Sequence, residues 1–399
     1  MNIVINLLLF LLPILSSFWI SQTFNPLSSY QPLQAIDGAA LYKKELTNGN
    51  EAYLQVINLR KMHIDQIIGE VDSMGINEGK YYQGESKYYS PFFNRKLFSE
   101  VAEEYKKFYS NNVFSIINCS FFEQYESSTQ LSFPIKLNGV VISGGNSPYG
   151  PIKQPKDKYY SNIRLKALVW DNKQAYITDY NQVSGAPLNQ KAVKNAIVTY
   201  RYSDHPAKVL AQNQANKYQV IGTLNKDSVK GDELLLIMTV NKATLDEAAD
   251  LLRKLGVKGD IITVDGGRST YLFNSQNGNI IVPQLSNPQE NPAFRNLPHY
   301  LGFRKTTKNQ VVPKISIGQL IPKVLPKKDQ PYLILWQDNF DSDVSIKLYD
   351  GDKLIQNISS RTASDGVYEW IPRISVKEGY FIRISSWKDR NIFGDLQLY

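Results

Sequence analysis

Residues 233–273 constrain this chain more than any other stretch. Residues 234–240 (LLLIMTV) form a continuous apolar run, the pattern of a strand covered on both faces. Thr244 then opens a helix with Glu247 three residues on, a capping box. Ala248, Leu251, Leu252 and Leu255 give that helix one apolar stripe, and Gly256 is placed to end it. Residues 261–264 read as a second buried strand that delivers Asp265-Gly266-Gly267-Arg268-Ser269-Thr270 at its carboxyl end. Strand, helix, strand and glycine-rich loop predict an α/β unit with the loop positioned for chemistry.

The rest of the chain is organised around that unit. Residues 53–59 and 113–117 read as strands, and Leu97, Phe98, Val101, Tyr105 and Phe108 recur at helical spacing between them. Further strands are predicted at residues 139–142, 165–170 and 175–178, while residues 21–34 are polar, proline-bearing and linker-like. With 399 residues the chain calls for two or three domains. The fold class predicted is α+β: a mixed α/β catalytic domain over residues 36–306, then a linker (307–330) and a small all-β sandwich (331–399). The sandwich is signalled by short alternating segments at residues 333–336, 344–348, 367–370 and 380–384, punctuated by Asp350-Gly351 and Asp365-Gly366.

Residues 3–20 are almost wholly apolar, interrupted by Asn6, Pro13, Ser16 and Ser17. That length lies between a signal-peptide core and a membrane span. No Lys or Arg precedes it and no A-x-A site follows. Export is predicted, to a secreted, periplasmic or membrane-anchored location; residues 1–22 serve either as a cleaved signal or as a retained anchor. The single cysteine, Cys119, allows no internal disulfide, which for an exported chain suggests a bacterial source. One Cys and three His (His63, His205, His299) argue against structural zinc. A net charge of +8 favours anionic partners, but the charge is scattered and no basic run exceeds pairs such as Lys327-Lys328, so no nucleic-acid partner is predicted.

Two segments have the residues for chemistry. In the first, Asp265 leaves a buried strand and is thereby held rigid and partly desolvated. Gly266 and Gly267 permit close approach to backbone amides, Arg268 adds a planar cation, and Ser269 and Thr270 add hydroxyls. In the second, a short apolar strand ends in Asn118-Cys119-Ser120-Phe121-Phe122-Glu123. Asn118 can orient a sugar hydroxyl, Phe121 or Phe122 can stack on a sugar ring, and Glu123 supplies a second carboxylate. The plainer readings are a common Asp-Gly-Gly turn, two core phenylalanines and a solvated Glu123. Cys119 has no evident His partner nearby and makes a poor nucleophile candidate. No cofactor is predicted; a divalent cation would find oxygens here, but no ligand spacing marks a metal site.

The N-x-x-F-F at residues 118–122 and the D-G-G-x-S at residues 265–269 resemble the two signature regions of the phosphodiester glycosidase family. The helix at residues 245–255 and the closing Arg295-Asn296-Leu297-Pro298 with Leu301-Gly302 match as well, so the resemblance covers roughly residues 36–306. It implies hydrolysis of a sugar-1-phosphate diester in a cell-surface or extracellular glycan. Asn118, Phe121, Phe122, Asp265, Gly266, Gly267 and Ser269 fall on motif positions, and Glu123 sits where the family often has Asp. The chain departs from the pattern at Cys119 and Ser120, where glycines are common, and at Arg268, where a third glycine is common. An R-T-A-x-G segment is replaced by Tyr218-Gln219-Val220-Ile221-Gly222, leaving Arg268 or Arg295 to contact phosphate. More loosely, the C-terminal stretch resembles Ig-like modules of secreted proteins.

On this reading Asp265 acts as nucleophile or as base for water, Glu123 assists as acid/base, Asn118 positions the sugar and Arg268 stabilises the phosphate. The rivals are a non-catalytic protein that binds phosphorylated or acidic polysaccharide in the same cleft, and a membrane-anchored structural protein.

Overall fold

In the computed structural model, residues 25–69, 92–122, 127–145, 163–209, 213–281, 295–306, 315–319, 325–330, 332–338, 340, 342–364 and 367–398 are described. They overturn the α+β expectation. Strands account for 50% and helices for 13%, and among the described residues every strand pairing is antiparallel. Only the helices Phe98–Tyr109 and Leu245–Lys254 reach ten residues there.

The local elements of the central unit are present, but their assembly differs from a simple α/β repeat. The strands Leu234–Ala243 and Ile262–Thr263 run the same way, yet Asn216–Leu224 lies between them and pairs antiparallel with both. The apolar run is covered on both faces, as its composition demands. Leu235 and Ile237 enter one core, while Leu236, Met238 and Val240 enter another.

These two cores sit on opposite faces of an eleven-stranded sheet. On one face packs the Leu245–Lys254 helix, through Ala248, Ala249, Leu251 and Leu252. Against the other face lies a five-stranded sheet built around Val113–Asn118 and His299–Lys305, which contributes Phe114, Ile117, Leu301 and Phe303 to the shared core. The Phe98–Tyr109 helix covers the outer side of that second sheet, giving the order helix, sheet, sheet, helix. It is fastened by more than apolar contact: the Tyr105 hydroxyl donates to Asp65 at 2.6 Å, and Arg304, also bonded to Asp65 at 2.7 Å, lies 4.3 Å from the Tyr109 ring centre.

The linker-like reading of residues 21–34 gives way to a strand, Gln31–Ile36, paired with Ala39–Glu45. Within the 307–330 stretch, Ile315–Gln319 is a strand paired with Tyr332–Asp338 and belongs to the C-terminal body. There a three-stranded and a four-stranded sheet share a core of Ile334, Trp336, Val344, Ile346, Leu348, Trp370, Ile382 and Ile384. Residues 1–22 and Asp365-Gly366 lie outside the described residues. No helix among the described residues is long and apolar enough to cross a membrane.

The Leu245–Lys254 helix is closed by the expected capping box, with Thr244 Oγ1 accepting from the Glu247 amide at 3.1 Å and Glu247 accepting from the Thr244 amide at 2.7 Å. In urea unfolding, Leu252→Ala is expected to cost about 2–5 kcal/mol because a fully buried contact is lost. Thr244→Ala is expected to cost only about 1 kcal/mol. Equal costs would mean that the helix docks less tightly than its packing implies.

Candidate active site

The two segments that carry the motifs meet where the two sheets come together. The strand Ile262–Thr263 runs out at Val264, and the next amide, of Asp265, donates to the Cys119 carbonyl at 2.8 Å. Cys119 follows directly on the strand Val113–Asn118 of the other sheet. One hydrogen bond therefore ties the carboxyl end of each strand to the other.

Asn118 reinforces this junction. It is fully buried, and its Nδ2 donates to the Asp265 carbonyl at 2.6 Å. Its Oδ1 accepts from the Tyr271 amide at 2.9 Å and from Gln219 Nε2. Gln219 in turn accepts from Thr239 Oγ1 at 3.2 Å. The amide of Asn118 is thus directed at protein partners on both sides of the Asp265 loop, and its visible work is to hold that loop in place.

The loop itself is tight. Gly266 abuts Tyr218 and the Lys217 carbonyl: a Cβ there would lie 3.1 Å from the Tyr218 ring and 3.2 Å from that oxygen. Gly267 has φ +62°, in the left-handed region where glycine is at no disadvantage. Residues Gly267–Ser269 then make one 3₁₀ turn. Thr270 is buried and donates to the Lys217 carbonyl at 3.2 Å, whereas Arg268 is exposed.

Asp265 is deeply enclosed by protein, although the residue keeps some accessible surface. Burial pushes its pKa up to about 7, against the opposing pull of hydrogen bonds from the Ser269 hydroxyl and the Gly266 amide and of the Arg295 charge. A carboxyl group balanced near neutrality can both take and return a proton under physiological conditions. Arg295 reaches this site from the other side, its amide donating to the Tyr271 hydroxyl at 2.6 Å.

The adjacent phenylalanines part company. Phe121 joins an aromatic cluster with Tyr200 (5.2 Å between ring centres), His205 (5.4 Å) and Phe133 (6.1 Å). Phe122 packs toward the Phe98–Tyr109 layer, with the Arg95 guanidinium 5.9 Å from its ring. Phe121 and His205 are half-buried, and His205 lies 6.2 Å from Tyr218, which itself abuts Gly266. A partly open aromatic wall therefore flanks the loop.

His205 was not singled out from the sequence, which offers only an isolated His before Pro206 after an apolar stretch. Burial holds its imidazole down at about 4, so it stands neutral at physiological pH. Cys119 is buried and its thiol is pushed well above its ordinary value, which suppresses the thiolate a nucleophile needs. Glu123 lies outside the described residues. Among the described residues, no group of three or more His, Cys, Asp or Glu side chains gathers as a metal-ligand set.

No protein-family model matches the chain, and no curated protein matches it. Among solved structures it is similar to the zebrafish N-acetylglucosamine-1-phosphodiester alpha-N-acetylglucosaminidase catalytic domain auto-inhibited by its pro-peptide, with a TM-score of 0.40 and 12% identity over 66% of this chain and 81% of that one. It is also similar to a hypothetical protein from Synechocystis (TM-score 0.35, 11% identity, 69% of this chain and 63% of that one). A third likeness is to a protein described as exported from Burkholderia pseudomallei K96243 (TM-score 0.37, 9% identity, 68% and 75%). At these scores the likenesses carry no functional argument.

Two measurements follow from the geometry. The Asp265 carboxyl should titrate near 7 by ¹³C NMR, and Ser269→Ala should move the midpoint upward, since the lost hydroxyl bond favours the carboxylate. The native state holds this proton more tightly than the unfolded chain, so the contribution to stability is present below 3.8 and lost as pH rises to about 7. Asp265→Asn should accordingly stabilise relative to the parent more at about pH 8 than at about pH 4. Asn118→Ala removes the partner of the Asp265 carbonyl, the Tyr271 amide and one Gln219 N–H, and should lower stability by about 1–3 kcal/mol for each buried group left unsatisfied. A variant of unchanged stability would show that the amide does not hold the loop.

Proposed function

We propose that this chain hydrolyses sugar-1-phosphate diesters, outside the cytoplasm, at the loop around Asp265. The observation that carries the reading is the Asp265 carboxyl: its pKa is about 7, it is fixed by the Ser269 hydroxyl and the Gly266 amide, and Arg295 acts on its charge. The motif resemblance supplies the substrate class, and the apolar stretch at residues 3–20 supports export.

A phosphate monoester is a good leaving group because its charge spreads over several oxygens, so departure demands little acid assistance. Asp265 takes a proton from water as the water oxygen bonds to the anomeric carbon. The bond from that carbon to the phosphate oxygen breaks with its electron pair going to the phosphate, which leaves as a monoester. The proton affinity of Asp265 suits this base role better than a nucleophilic one. Arg295 is the better placed cation for the departing charge, since it acts on Asp265 itself, while Arg268 is exposed at the rim. Phe121 and His205 offer the sugar a stacking surface, and Asn118 serves by positioning Asp265.

The test is turnover of a panel of sugar-1-phosphodiesters by protein lacking residues 1–22, beside Asp265→Asn. Release of sugar by the parent, reduced by ~10²–10⁴ in the variant, is the expected result. Binding of the same compounds without turnover would replace the enzyme by a recognition protein for phosphorylated glycans.

A further inference from the structure

Ser120 stands beside the Asp265 loop, one residue beyond the Cys119 carbonyl that accepts the Asp265 amide at 2.8 Å. Its hydroxyl oxygen lies 2.7 Å from His299 Nδ1. His299 has no exposed surface, and its carbonyl accepts from the Cys119 amide at 3.1 Å, so main chain and side chain together lock the pair. The other ring nitrogen, Nε2, is buried and finds no hydrogen-bond partner among the described residues. Burial keeps the ring neutral, with its pKa down at about 3.

A neutral imidazole carries one proton, and the orphaned nitrogen decides where it sits. With the proton on Nε2, Ser120 would donate to Nδ1 and a buried N–H would have nothing to bond. With the proton on Nδ1, the ring donates to Ser120 and leaves only a bare lone pair at Nε2. Buried N–H groups without an acceptor are rarer than under-used acceptors. The second arrangement therefore holds, and it frees the Ser120 proton. Among the described residues that proton has only the Cys119 sulfur at 4.0 Å, a weak acceptor. Ser120 keeps 7% of its surface while His299 keeps none, so the pair reaches solvent through Ser120.

We infer that Ser120 is a dedicated hydrogen-bond donor to a ligand oxygen above Asp265, aimed by His299 behind it, and that this oxygen belongs to a phosphate. The last clause rests on the proposed function. The unesterified oxygens of a phosphate diester only accept, and the uncommitted group of the Ser120–His299 pair that reaches solvent, the Ser120 hydroxyl proton, only needs to give. Where the resembling motif commonly has glycine, this chain has the hydroxyl, so the contact is its own feature.

The test has two readouts that need no turnover. In ¹⁵N-histidine NMR of the protein lacking residues 1–22, His299 should show the Nδ1–H tautomer at neutral pH. Titration with inorganic phosphate should give about ten- to hundred-fold weaker binding for Ser120→Ala, as for loss of a bond to a charged group, with Ser120→Thr close to the parent. The Nε2–H tautomer, unchanged phosphate affinity in Ser120→Ala, or no phosphate binding by the parent would each overturn the inference. Ser120-dependent phosphate binding without diester hydrolysis would keep the donor and discard the reaction. Hydrolysis with a normal KM in Ser120→Ala would keep the reaction and discard the donor.

Discussion

The architecture around the site depends on one buried amide. Asn118 sits at the end of a strand in one sheet and bonds to Asp265, Tyr271 and Gln219, of which Gln219 belongs to the other sheet. Two sheets that share an apolar core are free to slide, because dispersion and water exclusion are not directional. A fully satisfied polar group between them removes that freedom, since any slip would strand several buried partners at once. The Asp265 backbone is therefore located by hydrogen-bond geometry, while the apolar cores provide most of the cohesion.

Two buried carboxylates show how environment divides labour among groups of similar chemistry. Asp65 and Asp265 are both enclosed by protein, and burial works to raise both. Around Asp65, the charges of Arg304 and His63 outweigh it and hold the carboxyl well below its usual range. Around Asp265, one hydroxyl, one amide and a single guanidinium do not, and the carboxyl stays poised for proton exchange. Asp65 is a fastening for the Phe98–Tyr109 helix; Asp265 is left able to exchange a proton near neutral pH.

Much of the local structure was legible in the residues, and the reasons are specific. The capping box at Thr244 and Glu247 and the apolar stripe behind it are short-range signals, and the helix follows them. The apolar run at Leu234–Ala243 announced a strand covered on both sides, which it is. What the residues did not disclose is pairing. Nothing local in Asn216–Leu224 says that it will insert between two strands that follow it in sequence, and that insertion is what turns an expected α/β layer into an antiparallel sheet. The junction of the two motif segments could be anticipated because both follow apolar strands. The partners of Asn118 and of Ser120 could not, since Gln219 and His299 lie about a hundred residues or more away along the chain.

The inserted strand also bears on how the molecule comes into being. A strand, helix and strand that pair directly can form early as a compact local unit, because little chain entropy is lost in closing them. Here the two outer members pair only through Asn216–Leu224, which meets Leu234–Ala243 as a hairpin and must also accept Ile262–Thr263 on its other edge. The Asp265 loop follows Ile262–Thr263 and is secured by Asn118 from the opposite sheet. Partly folded chains in which the two sheets have not met consequently lack the Asn118 contact that locates the Asp265 loop, and the loop takes its place only when the whole body has closed.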